Sequence, residues 1–486
     1  MKVTKKNICE TIDTIQGEYS LLFDNLILLK NFKSQKFNAQ MIFEFQYKLG
    51  CSLFQLASIR NQIILEEKKL IAKKGKVEIK WFISKMQLFK KFKNGIDNCI
   101  TIGKSLGDAF VWHFYQFNLP ELFKNLEHEE IKIFPIGAGG IGELKFIQKY
   151  FAFNNHFVIL HGISNLLRIG DISFISMKDF RLTSIGEIKT KKMGNNKVNI
   201  SITAIDAIGR NFLQEQNLPD IQVTENNFYK DYFDPERFKR QIEKTKKYLS
   251  SNIRNENDEN KIFYDNYHVQ EFEEAIALLK NKPFNIKKVS SSLLYVTFKT
   301  SSKKISKRMF IKEDANILKK HEKEIENDII SIYDEAIPNY PIRFGSIHYD
   351  KNLSTNILIG ASPLFWYPIK PEILKEIYFQ NIFCLTLFNP TKLYSSLNTM
   401  GINFMKDEST GKYFLGKKLD IGIMRLEYFN YFLILIENLL HTQDAVISII
   451  NEVVSLAESK KMEFPNAKMQ TEILHLFTHY NKDKID

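Results

Sequence analysis

Near residue 131 the sequence changes its period, and that change constrains the fold more than any other feature. Up to about Phe117 Gly and Pro are scarce and apolar positions recur at helical spacing. Phe82, Met86, Phe89, Ile96 and Ile100 share one helical face, while Lys85, Lys90, Lys91 and Lys93 fall mostly elsewhere. From 131 to about 207 short apolar runs are separated by Gly, Asn and Lys. Residues 131–136, 157–160, 171–176, 185–190 and 198–205 read as strands, and a helix fits between the first two, from about Ile141 to Phe151. The pattern predicts a multidomain α+β or α/β protein. A helical region is expected over 1–130. A small α/β layer with a following charged helix is expected over 131–250. The polar run 250–260 cannot bury a face and marks a linker. An α/β region ending in helices is expected over 261–486. There, 292–300 and 309–311 predict a hairpin around the basic tip Lys303, Lys304, Lys307 and Arg308. Val446, Ile449, Ile450, Val453 and Ala457 predict an apolar helical stripe.

The net charge of +12 and pI of about 9.1 favour a polyanionic partner, nucleic acid or anionic membrane. A generic solvated lysine surface gives the same numbers, so charge alone does not decide. Cys9, Cys51, Cys99 and Cys384 form no CxxC and no zinc spacing, and read as reduced thiols of a cytosolic protein. The start, Met1-Lys2-Val3-Thr4-Lys5-Lys6, lacks an apolar signal core. The longest apolar run, near Tyr428 to Leu440, is too short and interrupted to span a bilayer. A cytoplasmic protein without a membrane partner is expected.

The chemistry-bearing segment is Leu167-Arg168-Ile169-Gly170-Asp171-Ile172-Ser173-Phe174-Ile175, followed by Ile185-Gly186-Glu187-Ile188-Lys189. Alternation along a strand puts Glu187 and Lys189 on one face and Ile188 on the other. If the two strands are neighbours, Asp171 sits beside Glu187. Two carboxylates that close repel each other unless a cation lies between them. Oxygen ligands suit Mg²⁺ or Mn²⁺. Such an ion polarises a phosphate and acidifies a bound water, and a neighbouring lysine can orient that water and hold developing charge.

These residues resemble the core of the PD-(D/E)XK nuclease superfamily, over about 141–205. The resemblance implies a restriction-endonuclease-like mixed sheet with flanking helices. It implies that Asp171 and Glu187 bind the metal, that the Ile188 carbonyl helps, and that Lys189 assists the attacking water. Many members carry a Glu on the helix before the first core strand, and Glu143 is in the matching place. Gly170 stands where the family name has Pro. Arg168, Lys191, Lys192 and Lys197 are candidate contacts to a phosphate backbone. For Arg168, pairing with a nearby acid is the alternative; for the lysines, a solvated turn around Gly194-Asn195-Asn196 is.

The implied activity is divalent-metal hydrolysis of phosphodiester bonds, with DNA preferred over RNA. A small nuclease core between large accessory regions resembles bacterial anti-phage effectors and modification-type endonucleases, an analogy of architecture. The helical regions offer surfaces for a protein partner or a homo-oligomer. Two other readings compete. One is a non-catalytic binding protein with a relic nuclease fold. The other is a nucleotide-binding enzyme using Gly137-Ala138-Gly139-Gly140-Ile141-Gly142, which satisfies G-x-G-x-x-G. The acid that fingerprint wants about 20 residues on is missing at Leu160-His161-Gly162. His475 and His479, near Glu472, have zinc-compatible spacing but fail HExxH, so a helix end is expected there.

Overall fold

The structure is a computed structural model; its described residues are 3–31, 39–115, 119–126, 134–153, 156–178, 181–193, 197–206, 211–216, 267–311, 316–333, 340–348, 362–406, 413–419, 422–426 and 429–459. The expected strand residues 131–133, the expected helix after 226, the linker at 250–260 and the His475/His479 pair lie outside them. The protein is a mixed α and β protein in which every described sheet is antiparallel. It divides into two compact units, Met1–Asp258 with Lys304–Ile311, and Glu259–Lys303 with Lys312–Asp486.

The first unit begins with three long helices, α1 (Lys5–Asn31), α2 (Ala39–Ile71) and α3 (Ile79–Tyr115), and a short one, α4 (Leu119–Leu126). Each long helix buries a stripe. On α1 it is Ile8, Ile12, Ile15, Tyr19, Leu22 and Leu26, at spacings of three and four. The last turns of α3 are buried almost all round, because α3 runs between the other helices and the sheet. Stacked Phe45 and Phe110 (centroids 4.5 Å apart), then Phe114 and Phe157 (4.9 Å), carry aromatic packing from α2 through α3 to the sheet.

Helix α5 (Ala138–Tyr150) leads into a sheet of β1 (Ala152–Phe153), β2 (His156–Leu160), β3 (Ile172–Ser176), β4 (Leu182–Met193), β5 (Lys197–Asp206) and β6 (Asn211–Gln216), in that spatial order. The expected mixed sheet is thus corrected to an antiparallel one among the described residues. The reason is connection length, since a parallel pair needs a crossover of a dozen or more residues and these strands follow one another closely. Because β1 is only two residues long, it covers only part of the β2 edge that faces away from β3. Gln46 of α2, fully buried, fills the gap: its Nε2 donates to the Val158 carbonyl (2.7 Å) and its Oε1 accepts the Leu160 N–H (2.9 Å). One amide side chain thus imitates a strand neighbour.

In the second unit α6 (Val269–Ala277) precedes β7 (Phe284–Ser290) and β8 (Leu293–Lys299). Strand β8 pairs with β7 on one side and with β10 (Ile382–Phe388) on the other; β9 (Arg343–Ile347) completes a sheet of order β7-β8-β10-β9. Phe284, Leu294, Val296, Phe298, Ile332 and Leu387 form its core. The hairpin expected between 292–300 and 309–311 does not form. Residues 305–308 are instead a helical turn, α7 (Ile305–Arg308), belonging to the first unit. Apolar anchoring explains the difference. Ile305 is buried, its N–H donates to Gln16 Oε1 (3.0 Å), and Ser306 Oγ donates to Asp13 Oδ1 (2.5 Å). The Met309 sulfur occupies the space a Cβ on Gly95 would need, 1.7 Å away. Lys5 and Lys91 place ammonium groups over the Phe310 ring, at 4.3 and 5.5 Å.

The remaining elements are α8 (Ile317–Lys320), α9 (Glu322–Ile330), α10 (Pro371–Tyr378), α11 (Thr391–Thr399), a meander β11 (Ile402–Lys406), β12 (Tyr413–Leu419) and β13 (Gly422–Leu426), then α12 (Phe429–Leu439) and α13 (Gln443–Ser459). Val446, Ile449 and Ile450 of the expected α13 stripe are buried; the side chains of Val453 and Ala457 lie outside the described residues. No helix among the described residues is long and apolar enough to cross a membrane.

The half-buried His113 on α3 and the buried His441 after α12 are both desolvated, and this pushes both imidazoles down to about 4. A depressed imidazole favours the fold above its unfolded value near 6.5, and that contribution is lost as pH falls through about 4. Each is worth roughly 3 kcal/mol across that window. Urea midpoints for both units should therefore fall between pH 6.5 and 4, and His113→Leu should flatten the profile of the first unit. A midpoint independent of pH in that window would remove these rings as the acid-sensitive groups.

Candidate active site

The turn that delivers Asp171 is tied down along its length by the helices. In its C-terminal half α3 carries Lys104 and Asp108, one turn apart and both buried. Lys104 Nζ donates to the carbonyls of Gly162 (2.6 Å) and Ser164 (3.2 Å). Asp108 Oδ1 accepts from Ser164 Oγ and from the Asn165 N–H, each at 2.6 Å, and Oδ2 accepts from Asn165 Nδ2 at 3.0 Å. Burial pushes the Asp108 carboxyl up; these bonds and the Lys104 charge oppose the rise. Asn125 of α4, also buried, accepts the N–H groups of Arg168 (2.9 Å) and Ile169 (3.0 Å) on Oδ1. A buried loop has backbone groups that the sheet cannot satisfy. Three helix side chains supply those partners, from Gly162 to Ile169.

Gly170, with φ of 70°, turns the chain into β3. The Asp171 N–H donates to the Gly186 carbonyl (2.8 Å), and Asp171 Oδ2 accepts the Ile188 N–H (2.8 Å). Ile172 is paired with Gly186, so Asp171 stands opposite Glu187. Strand alternation puts Glu187 and Lys189 on one face, with Thr203 and Ser201 of β5 opposite them, and Ile188 on the other face. Glu187 is buried, whereas Asp171 and Lys189 are partly exposed, so this face reaches solvent through those two. The adjacency anticipated for Asp171 and the Glu187-Ile188-Lys189 strand is present.

The other expected residues lie as follows. Glu143 is buried on α5, and its Oε2 lies 3.3 Å from where a Cβ on Gly162 would be. Its neighbour Gly142 abuts Thr190, on the Ile188 face of β4: a Cβ there would meet Thr190 Oγ1 at 1.8 Å. Among the described residues no group of three or more His, Cys, Asp and Glu side chains is arranged to hold a metal ion. Any ion here would therefore rest on two carboxylates, Asp171 and Glu187, with the Ile188 carbonyl as a third protein oxygen. Those hard oxygen donors fit Mg²⁺ or Mn²⁺, which keep several waters as ligands.

Arg168 is half-buried, and its guanidinium donates to the carbonyls of Asn165 (Nε, 3.2 Å) and Leu126 (Nη1, 3.0 Å). That makes it a loop tether, the acid near it being Asp108. Lys191 is exposed on β4. Lys192 pairs with Val198 and Lys197 with Met193 in the β4–β5 ladder; their side chains lie outside the described residues.

The glycine-rich turn has packing reasons of its own. Gly137 caps α5 at φ 78°, and a Cβ on Gly140 would lie 2.0 Å from the Pro135 carbonyl oxygen. Residues 134–136 before it are not a strand, as a dinucleotide fingerprint requires. Sequence reasoning missed Lys104, Asp108 and Asn125. The signal available was a Lys and an Asp at i, i+4 within the most apolar stretch of α3, where charges are rare unless partnered.

No protein-family model, no curated protein and no solved structure matches the chain.

Proposed function

We propose that the chain is a divalent-metal-dependent nuclease with a restriction-endonuclease-like core, hydrolysing phosphodiester bonds of DNA or RNA inside the cell, in defence against foreign nucleic acid. The observation that carries this reading is the placement of Asp171 opposite Glu187, with its carboxylate bonded to the Ile188 N–H. That arrangement brings an acid, a second acid and a lysine to one solvent-reaching face of the sheet, at the start of β3 and along β4. The PD-(D/E)XK resemblance at Asp171, Glu187 and Lys189 supports the same reading.

In this reading Asp171 and Glu187 hold Mg²⁺ or Mn²⁺ together with the Ile188 carbonyl. The ion, when bound, supplies Lewis acidity toward a phosphate oxygen and an acidified water. Lys189, on the Glu187 face, orients the attacking water and offsets charge on the phosphate. Lys191, exposed further along the Glu187 face of β4, would contact the nucleic-acid backbone. The test is cleavage of plasmid, single-stranded DNA and RNA by the purified chain. Products are expected with Mg²⁺ or Mn²⁺ and none with EDTA; intact substrates under every metal condition would exclude the reading.

The two-carboxylate set favours one second reading, a relic nuclease fold that binds without cutting. It predicts affinity that falls steeply with salt and does not respond to metal.

A further inference from the structure

Beneath Asp171 lies a hydrogen-bond chain that the proposed chemistry does not use. His161 directly follows β2 and is fully buried, as are Ser173 of β3 and Tyr115 of α3. The His161 Nδ1 is 3.0 Å from the Gly170 carbonyl, and its Nε2 is 2.6 Å from Ser173 Oγ. The Tyr115 hydroxyl is 2.6 Å from the same Ser173 oxygen. In addition, the His161 backbone N–H donates to the Asp171 carbonyl (2.9 Å). One residue therefore grips the two consecutive carbonyls that bracket the Asp171 backbone.

We propose that His161, oriented by Ser173 and Tyr115, is a positioning residue for the Asp171 carboxylate; this rests on the nuclease reading of the site.

Donor and acceptor chemistry gives the chain one direction. A carbonyl only accepts, so Nδ1 of the neutral ring carries the hydrogen and Nε2 is an acceptor. Ser173 must then donate to Nε2, and its oxygen accepts from the Tyr115 hydroxyl. Burial pushes the Tyr115 phenol up, so it keeps its hydrogen and can play that part. The proton order is Tyr115 to Ser173 to His161 to Gly170.

A backbone turn alone does not need this. Gly170 could be held by any donor, yet a relay of three buried side chains, Tyr115, Ser173 and His161, ends on its carbonyl. Together with the Gly186 carbonyl and the His161 backbone N–H, they leave Asp171 fixed at its own N–H, at its carbonyl and at the carbonyl before it. What remains is the carboxylate, whose Oδ2 takes the Ile188 N–H. A carboxylate that must share a cation with Glu187 benefits from such pre-organisation, because catalytic groups tolerate displacements of about half an ångström. Partners behind a ligand typically change metal affinity or activity by about 10–100-fold.

The Ile188 amide reports Asp171 placement without any activity. In the full chain, hydrogen exchange at Ile188 should speed at least about tenfold in Ser173→Ala and measurably in Tyr115→Phe, while Ile202 of β5 stays protected. In histidine-labelled wild type, ¹⁵N spectra should show His161 with hydrogen on Nδ1. If cleavage is present, Ser173→Ala should raise the Mg²⁺ needed for half-maximal rate about tenfold or more, alongside a fall of several degrees in melting temperature, because two buried polar groups lose their partner. Hydrogen on Nε2, or unchanged Ile188 exchange in both variants, overturns the proposal. A wild type that cuts nothing removes the nuclease reading but leaves the exchange and tautomer results to decide the clamp. Should Ser173→Ala fail to fold, Tyr115→Phe, which keeps the ring, carries the exchange test.

Discussion

Lys189→Ala is expected to lower metal-dependent cleavage about 10²- to 10⁴-fold while leaving the melting temperature within a few degrees of wild type. The size follows from what one positioned proton-handling or charge-stabilising group contributes to a rate. The small stability effect follows from position: Lys189 is partly exposed and its backbone stays paired with Ser201 whatever the side chain. Glu187→Gln should match the loss, because it keeps volume and removes the charge, and extra Mn²⁺ should recover only part of it. Cleavage by Lys189→Ala at the wild-type rate, read from initial velocities at saturating metal, would detach Lys189 from the reaction.

The second large effect is structural. Gly170→Ala places a Cβ 2.3 Å from Ile185 Cγ2 and 3.1 Å from the Gly186 carbonyl oxygen, at a φ of 70°. A side chain at that φ costs about 1 kcal/mol or more, and the overlap with a packed core adds about 1–3 kcal/mol. A unit of this size melts about 2–4 °C lower per kcal/mol lost, so a fall of about 4–16 °C is expected by calorimetry. Gly17→Ala is the control: nothing lies within 4 Å of its Cβ, on α1. That substitution should raise stability by about 0.5–1 kcal/mol. If Gly170→Ala melts like wild type, the turn into β3 is not the constraint described.

The helices and strands of the first unit were legible because their burial patterns are local. Phe89 and Ile96 face inward on α3 as the helical period predicts. Strand alternation likewise put Glu187 with Lys189, and the neighbouring of β3 and β4 put Asp171 beside them. What escaped was the part of the site made by contacts far apart in sequence. Lys104 and Asp108 meet the 161–165 turn nearly sixty residues on, and no periodicity encodes that. The same limit explains Arg168. Its charge suggested phosphate, but the carbonyls of Leu126 and Asn165 are what it meets. Residues 305–308 misled for another reason. Lys307 and Arg308 looked like a solvated hairpin tip, while Ile305 and Met309 carried the information, as anchors for α1 and α3.

Because α7 belongs to the first unit yet follows β8 of the second in sequence, the first unit is not a contiguous piece of chain. On the ribosome its helical layer must wait, with the groove beside Gly95 unfilled, until Met309 has emerged. Expressing residues 1–258 alone makes that delay permanent. Such a fragment should be prone to self-association at the α1–α3 surface, and a peptide spanning 304–311 supplied in trans should reduce it.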